Sequence, residues 1–390
     1  MNDSTALTQD MVNEITAWRR DLHMHPELGF DEHRTSELVA EKLRGFGLEV
    51  HENVGKTGVV GVLRRGDGRK CIGMRADMDA LAISEANTFP HKSQHNGRMH
   101  ACGHDGHTAM LLGAAKVLAE AGDFDGTAVF LFQPAEEHGQ GALAMIEDGL
   151  FERFPMEAVY AIHNMPSLKA GNFALRPGPI MACEDNFEIS IFGKGGHAAQ
   201  PHLSIDPIVI GAEVVLALQS VVSRVLIPTD NAVLSVTDFA VEATRNVIPE
   251  TVVLRGDTRS FTPDVQDRME ATMARLVAGI CEAHGAEHAF SYSHEFASTI
   301  NSPAEAAIAA QVAASVVGAE SVDASYPALM ASEDFGYMLQ RRPGCYVLLG
   351  NGGDGPGGCG LHSPHYDFND DIAPTGIAFW VNLVQSQLVS

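Results

Sequence analysis

The chain has 390 residues, 45% of them apolar and 19% charged, with a formal net charge of −24. The length exceeds what one compact core usually holds, and the composition is that of a globular rather than a disordered chain. The acidity argues against nucleic acid or an anionic membrane as a partner, and an anionic substrate would need local positive groups to hold it.

The N-terminal stretch MNDSTALTQDMVNEITAWRRDLH lacks the apolar centre of a leader peptide, and no apolar run approaches the ~18 residues of a spanning helix. Six cysteines are scattered without a paired framework, so the expectation is a reduced, cytoplasmic protein. TQDMVNEITAWRRDLHMH reads as a helix, HPELGF as a turn, and DEHRTSELVAEKLRGFG as an amphipathic helix ending at Gly47. TGVVGVLRR and KCIGMRADM read as strands, the second apolar enough to be buried on both faces. HTAMLLGAAKVLAEAG is a helix, TAVFLFQPA a strand, GALAMIEDGLF a helix and EAVYAIH a strand. Strands alternating with helices predict an α/β layer with a mainly parallel central sheet.

The rhythm changes near Cys183. EDNFEISIFG, IDPIVIGAEVVLALQSVVSRV, NAVLSVTDFA, TVVLRGDTRSF, PDVQDRMEATMARLVAGICEAHG and EHAFSYSHEF follow the order βαββαβ, the ferredoxin-like arrangement. NSPAEAAIAAQVAASVVGAE and GCYVLLG then return to helix and buried strand. The expected organisation is a discontinuous α/β catalytic domain, 1–182 plus 299–390, interrupted by an inserted domain, 183–298.

Metal-capable groups gather at the predicted strand ends. Asp77 and Asp79 close one strand, and Cys102 and His104 lie in MHACGHDGH at the mouth of a helix. Glu136 and Glu137 end the next strand in FQPAEEHG, His163 ends another, and His362 follows the last strand and a glycine-rich loop. Loops at the carboxyl ends of strands in an open α/β sheet converge on one crevice. Thiolate, imidazole and carboxylate are the zinc-type ligand set, and there are too many for one catalytic ion, so two metals fit better. Taken singly, each has an ordinary reading: a strand-end histidine, an inert buried cysteine, or acids favoured at a helix start. The residues alone do not choose between Glu136 and Glu137 as ligand and base.

RRDLHMHPELGFDEHRT, MRADMDAL, MHACGHDGHTAMLLGAA, LFQPAEEHGQGALAMIEDG, AIHNMP, GKGGHAAQPH, SEDF and LHSPHYDFND together resemble the metal-dependent N-acyl-amino-acid amidohydrolases. That group holds hippurate hydrolases, aminoacylases and auxin-conjugate hydrolases, and is related to zinc carboxypeptidases with an inserted dimerisation domain. The resemblance runs from about residue 18 to the C-terminus. Ala82 departs from it, standing where the family usually has proline.

The resemblance implies two divalent ions (zinc, manganese, cobalt or nickel) held by Cys102, His104, Glu137, His163 and His362. It implies Glu136 as general base, Asp79 as a hydrogen-bonding support behind a ligand, and His197 as oxyanion donor supplied across a homodimer. Asn246 and Arg259 are candidates to hold the substrate carboxylate. The expected reaction is hydrolysis of the amide of an N-acyl-L-amino acid, hippurate-like or N-acetyl. A dipeptidase or carboxypeptidase is the alternative within the fold. A cysteine hydrolase using Cys102 is the alternative outside it, and a metal- or peptide-binding module is the non-enzymatic reading.

Overall fold

The computed structural model describes residues 7–353 and 357–389. Residues 1–6, on which the leader reading partly rests, lie outside that range. The chain divides into two compact units: Met1–Ile180 with Ile300–Pro327 and Asp334–Ser390, and Met181–Thr299 with Ala328–Glu333.

The larger unit is built on an eight-stranded sheet. Its order is Glu49–Val54, Gly58–Arg65, Gly126–Gln133, Cys71–Asp77, Ala158–Lys169, Gly344–Gly352, Phe173–Ala174 and Val322–Asp323. The four central strands run parallel. Cys71–Asp77 is buried at every residue, as a strand covered on both faces must be. The helix Gln9–Met24 starts where the Thr8 side chain accepts the Met11 N–H. Helix His33–Gly45 stops before Gly47, whose φ of +87° suits a residue without a Cβ. Helix His104–Ala121 lies in the core, with Leu111, Leu112 and Leu118 fully buried. Each such leucine contributes roughly 1.5–3 kcal/mol of burial. Ile377, Trp380 and Val384 of the C-terminal helix Ala373–Gln387 belong to the same core.

The smaller unit has the expected βαββαβ order. Its antiparallel sheet runs Ala232–Ala240, Thr251–Ser260, Cys183–Phe192, Glu287–Phe296. Cys183–Phe192 alternates buried and more exposed residues, so one face points to the core. Helices Pro207–Ser220 and Pro263–His284 bury Ile210, Val214 and Leu218, and Met269, Met273 and Val277, in that core together with Ile189 and Ile191. Ala328–Glu333 joins this unit, where the carbonyls of Leu329 and Ala331 accept the Ala182 N–H.

Pro207–Val225 is a 19-residue helical stretch long and apolar enough to cross a membrane by length and composition alone. Glu213, Gln219, Ser220, Ser223 and Arg224 interrupt the apolar run, and the helix passes from α over Pro207–Ser220 to π over Val221–Val225. One face packs in the core just described, while Ile208, Val209 and Leu216 are exposed.

Candidate metal centre

Parallel strands bring the acidic and histidine residues together. Asp77 ends the strand Cys71–Asp77, and Glu136 and Glu137 follow the adjacent strand Gly126–Gln133. His163 lies on the other neighbour, Ala158–Lys169, mid-strand rather than at its end as expected. Cys102 and His104 sit at the start of helix His104–Ala121. Gly103 between them has φ +98°, and a Cβ there would collide with the Asn164 amide oxygen and lie 2.6 Å from the Tyr366 hydroxyl. Only glycine lets the loop pass so close.

The ligand atoms of Cys102, His104 and Glu137 all lie within 4.8 Å of one another. Cys102 Sγ is 3.4 Å from His163 Nε2, and His362 Nε2 is 3.5 Å from Glu137 Oε2. His104 Nε2 lies 3.9 Å from Glu137 Oε1 and 4.0 Å from Glu136 Oε2. His362 reaches in from a left-handed backbone, φ +62°, with its N–H donated to the Ala101 carbonyl.

Hydrogen bonds fix which ring nitrogen is available. His104 Nδ1 is 2.9 Å from the Asp79 carbonyl, which can only accept, so Nδ1 carries a proton and Nε2 is the ring atom turned to the cluster. His163 Nδ1 likewise donates to the Asn164 carbonyl at 2.7 Å, leaving Nε2 to face Cys102. Asp79 also accepts the Glu137 N–H at 3.0 Å and lies 3.2 Å from His104 Nδ1 through its other oxygen. Both Nε2 atoms face the cluster, and a polar partner behind each ring is the pattern of metal-binding histidines.

Burial sets the electrostatics. Burial, then the Glu137 charge, pushes the Cys102 thiol well above its usual range. Burial, then His107, holds His163 well below its usual value, so it is a neutral imidazole. Burial, with Asp79 and Asp77 nearby, raises Glu137 to about 7 although His104 opposes this. Burial of Asp77 is outweighed by His104, Arg75 and His107, and its carboxyl lies well below the ordinary range. His104 Nε2 and Glu137 Oε1 are buried and have no hydrogen-bond partner. Leaving two such groups unsatisfied is costly, and a shared cation satisfies both. Thiolate, imidazole and carboxylate donors in this number fit a pair of divalent ions.

Residues 73–386 match the sequence profile of peptidase family M20/M25/M40. The chain belongs to that family. Among M20 relatives, a hippurate hydrolase of Campylobacter jejuni is 40% identical over 379 residues, covering 97% of this chain and 98% of the relative. An N-acyl-L-amino acid amidohydrolase of Geobacillus stearothermophilus is 43% identical over 297 residues, covering 76% and 80%. The crystal structure of a Bacillus subtilis protein described as a dinuclear metal-binding peptidase of the M20 family superposes with a TM-score of 0.86 at 30% identity, over 98% and 99% of the two chains.

The M20 fold gathers Cys102, His104, Glu136, Glu137, His163 and His362 with Asp79 behind them. His197, Asn246 and Arg259 belong to the smaller unit. His197 is exposed on the short strand Gly196–His197, paired with Val247–Ile248. Asn246 is its neighbour there, its carbonyl accepting the Ala198 N–H. Arg259 is already engaged by Glu184 at 2.9 Å and Asp257 at 3.0 Å.

Sequence reasoning gave no role to Glu32, Arg75, His107 or Asn164. His107 meets Asp77 through Nδ1 at 2.6 Å, and its Nε2 lies 2.8 Å from the Asn164 side-chain oxygen and 3.0 Å from the Asn164 backbone nitrogen. Arg75 clamps Asp77 at 2.6 Å and Asp334 at 3.1 Å. Asp77 is therefore committed to neighbours of its own.

Proposed function

We propose that this M20 chain hydrolyses the amide bond of N-acyl-L-amino acids, using two divalent ions held by Cys102, His104, Glu137, His163 and His362. The facing, unpartnered pair His104 Nε2 and Glu137 Oε1 carries the reading. The names of the Campylobacter and Geobacillus relatives point to hippurate-like or N-acetyl substrates.

When bound, the ions supply a water of lowered pKa and polarise the scissile carbonyl. Glu136, almost buried at 7% exposure, takes the water proton and delivers it to the leaving nitrogen. Low exposure keeps bulk water from competing for that proton. Asp79 orients His104 and the backbone of Glu137. His197 is the oxyanion donor, supplied across a homodimer formed by the inserted unit. The exposed Ile208, Val209 and Leu216 and the edge-strand residue Phe239 are the surface such a dimer would cover. Asn246 is the candidate for the substrate carboxylate. Arg259 fills that role only by releasing Glu184 or Asp257.

Metal analysis combined with rates on benzoyl-glycine, acetyl-amino acids and short peptides tests the reading. Two ions per chain and cleavage of acyl-amino acids are expected. Cleavage of peptides alone would replace the substrate class with that of a dipeptidase or carboxypeptidase.

A further inference from the structure

We propose that Glu32 is a positioning residue for the reaction, aiming Glu136 by holding the backbone of Ala135. The proposal rests on Glu136 being the base, as above. Glu32 is fully buried at the start of helix His33–Gly45, about a hundred positions from the turn it touches. Its Oε1 accepts the Ala135 N–H at 2.8 Å, and its Oε2 accepts the Thr57 hydroxyl at 2.6 Å.

Ala135 is the residue that needs holding. It immediately precedes Glu136 and has φ +48°, a left-handed backbone that disfavours any residue with a Cβ. The chain folds back at this point: the Ala135 carbonyl accepts the Gly141 N–H at 3.1 Å, and the Glu136 carbonyl accepts the Gly139 N–H at 2.7 Å. Gly29 backs the turn, where an added Cβ would come within 2.9 Å of the Ala135 Cβ. Two carboxylates thus grip successive parts of one turn, Glu32 on the N–H of Ala135 and Asp79 on the N–H of Glu137. Glu136 lies between the two grips. Were Ala135 to relax to φ below zero, the peptide leading into Glu136 would rotate and carry its side chain off line. Burial also raises the Glu32 carboxyl to about 7, the Thr57 and Ala135 hydrogen bonds opposing the shift. A fold that tolerates a buried acid with two neutral donors is using it for geometry.

The test compares Glu32→Ala, Glu32→Gln and Glu32→Ala/Ala135→Gly with wild type. In Glu32→Ala, kcat falls about 10- to 100-fold with KM within about threefold, the scale of a misplaced catalytic group. Metal content is unchanged. Hydrogen–deuterium exchange of the metal-free protein shows the Ala135 N–H losing protection. Glu32→Gln, whose amide oxygen still accepts that N–H, recovers most of the kcat. Glycine at 135 adopts positive φ without help, so the double variant recovers several-fold over Glu32→Ala in kcat measured well below the melting temperature of each variant, where stability differences do not enter. Should Glu32→Ala fail to fold, Glu32→Asp, one methylene too short to reach Ala135, replaces it with the same expectations. Wild-type kcat and unchanged protection in either variant overturn the proposal. An inactive wild type would instead overturn the reading of the site, and the exchange result alone then judges Glu32.

Discussion

Asp79 holds His104 by the ring edge that points away from the metal cluster: the Nδ1–H of the histidine meets the backbone carbonyl of the aspartate at 2.9 Å and its carboxylate at 3.2 Å. The same carboxylate fixes the Glu137 backbone. Asp79→Ala releases the Glu137 N–H and leaves His104 Nδ1 with the residue-79 backbone carbonyl alone, every ligand staying in place. Metal affinity should drop about 10- to 100-fold. Calorimetric titration of the stripped protein with zinc or manganese measures it, and an affinity equal to wild type would remove Asp79 from the site.

Glu136→Gln keeps the shape of the side chain and removes its basicity. The expected loss in kcat is about 100- to 10,000-fold, with two ions still bound. A variant that loses its metal along with its activity would make Glu136 a ligand.

Dialysis against a chelator should abolish activity, and zinc, manganese or cobalt should restore it to different degrees. Stripping should also lower the melting temperature, because an ion at ~1,000 times its Kd adds about 4 kcal/mol to the folded state. A cysteine hydrolase built on Cys102 would keep its rate through the same treatment.

His23 supplies a pH dependence. Burial opposes its charge, but Asp105 at 2.8 Å and Glu85 at 3.3 Å outweigh this and raise the ring to about 9. A basic group raised in the folded state stabilises fully below its unfolded pKa of about 6.5, and that contribution disappears as pH rises through 9. The shift corresponds to about 3 kcal/mol. Urea unfolding of wild type and His23→Gln should therefore differ most near pH 6 and converge by pH 9.5. A gap independent of pH would show that the ring titrates alike in the folded and unfolded chain, and one that shrinks as pH falls below 6.5 would show a ring kept neutral in the fold.

His197→Ala and Glu136→Gln should each be nearly inactive. If His197 acts across a homodimer, mixing and refolding the two variants together yields hybrids with one intact site and partial activity. Mixtures that stay as inactive as their components would place His197 outside its partner's reaction.

The cluster was legible from the sequence because its members are chemically unusual and sit at successive strand ends. The rule that parallel strands share one crevice gathered the candidates, while the choice of Glu137 over Glu136 as ligand came from the resemblance, and His163 sits mid-strand rather than at a strand end. Glu32 was invisible for the opposite reason: an acid at a helix start reads as an ordinary exposed residue favoured by the helix dipole. Its partner is a backbone N–H far along the chain, and only tertiary packing joins them. Arg75 and Asp334 are further apart still, and both lie in apolar or turn-like surroundings that disguise a buried ion pair. The helix Pro207–Val225 was legible as a helix, but its change from α to π geometry after Ser220 leaves no mark in the apolar pattern.

Gly103 sets a limit for anyone wishing to redesign the pocket. A single methyl group there would press on the Asn164 side-chain oxygen, which lies 2.8 Å from His107 Nε2 on the ring that meets Asp77 through Nδ1. The disturbance would spread from a residue with no side chain into the wiring beneath the ions. Libraries meant to widen substrate choice are better spent on the pocket wall than on this loop.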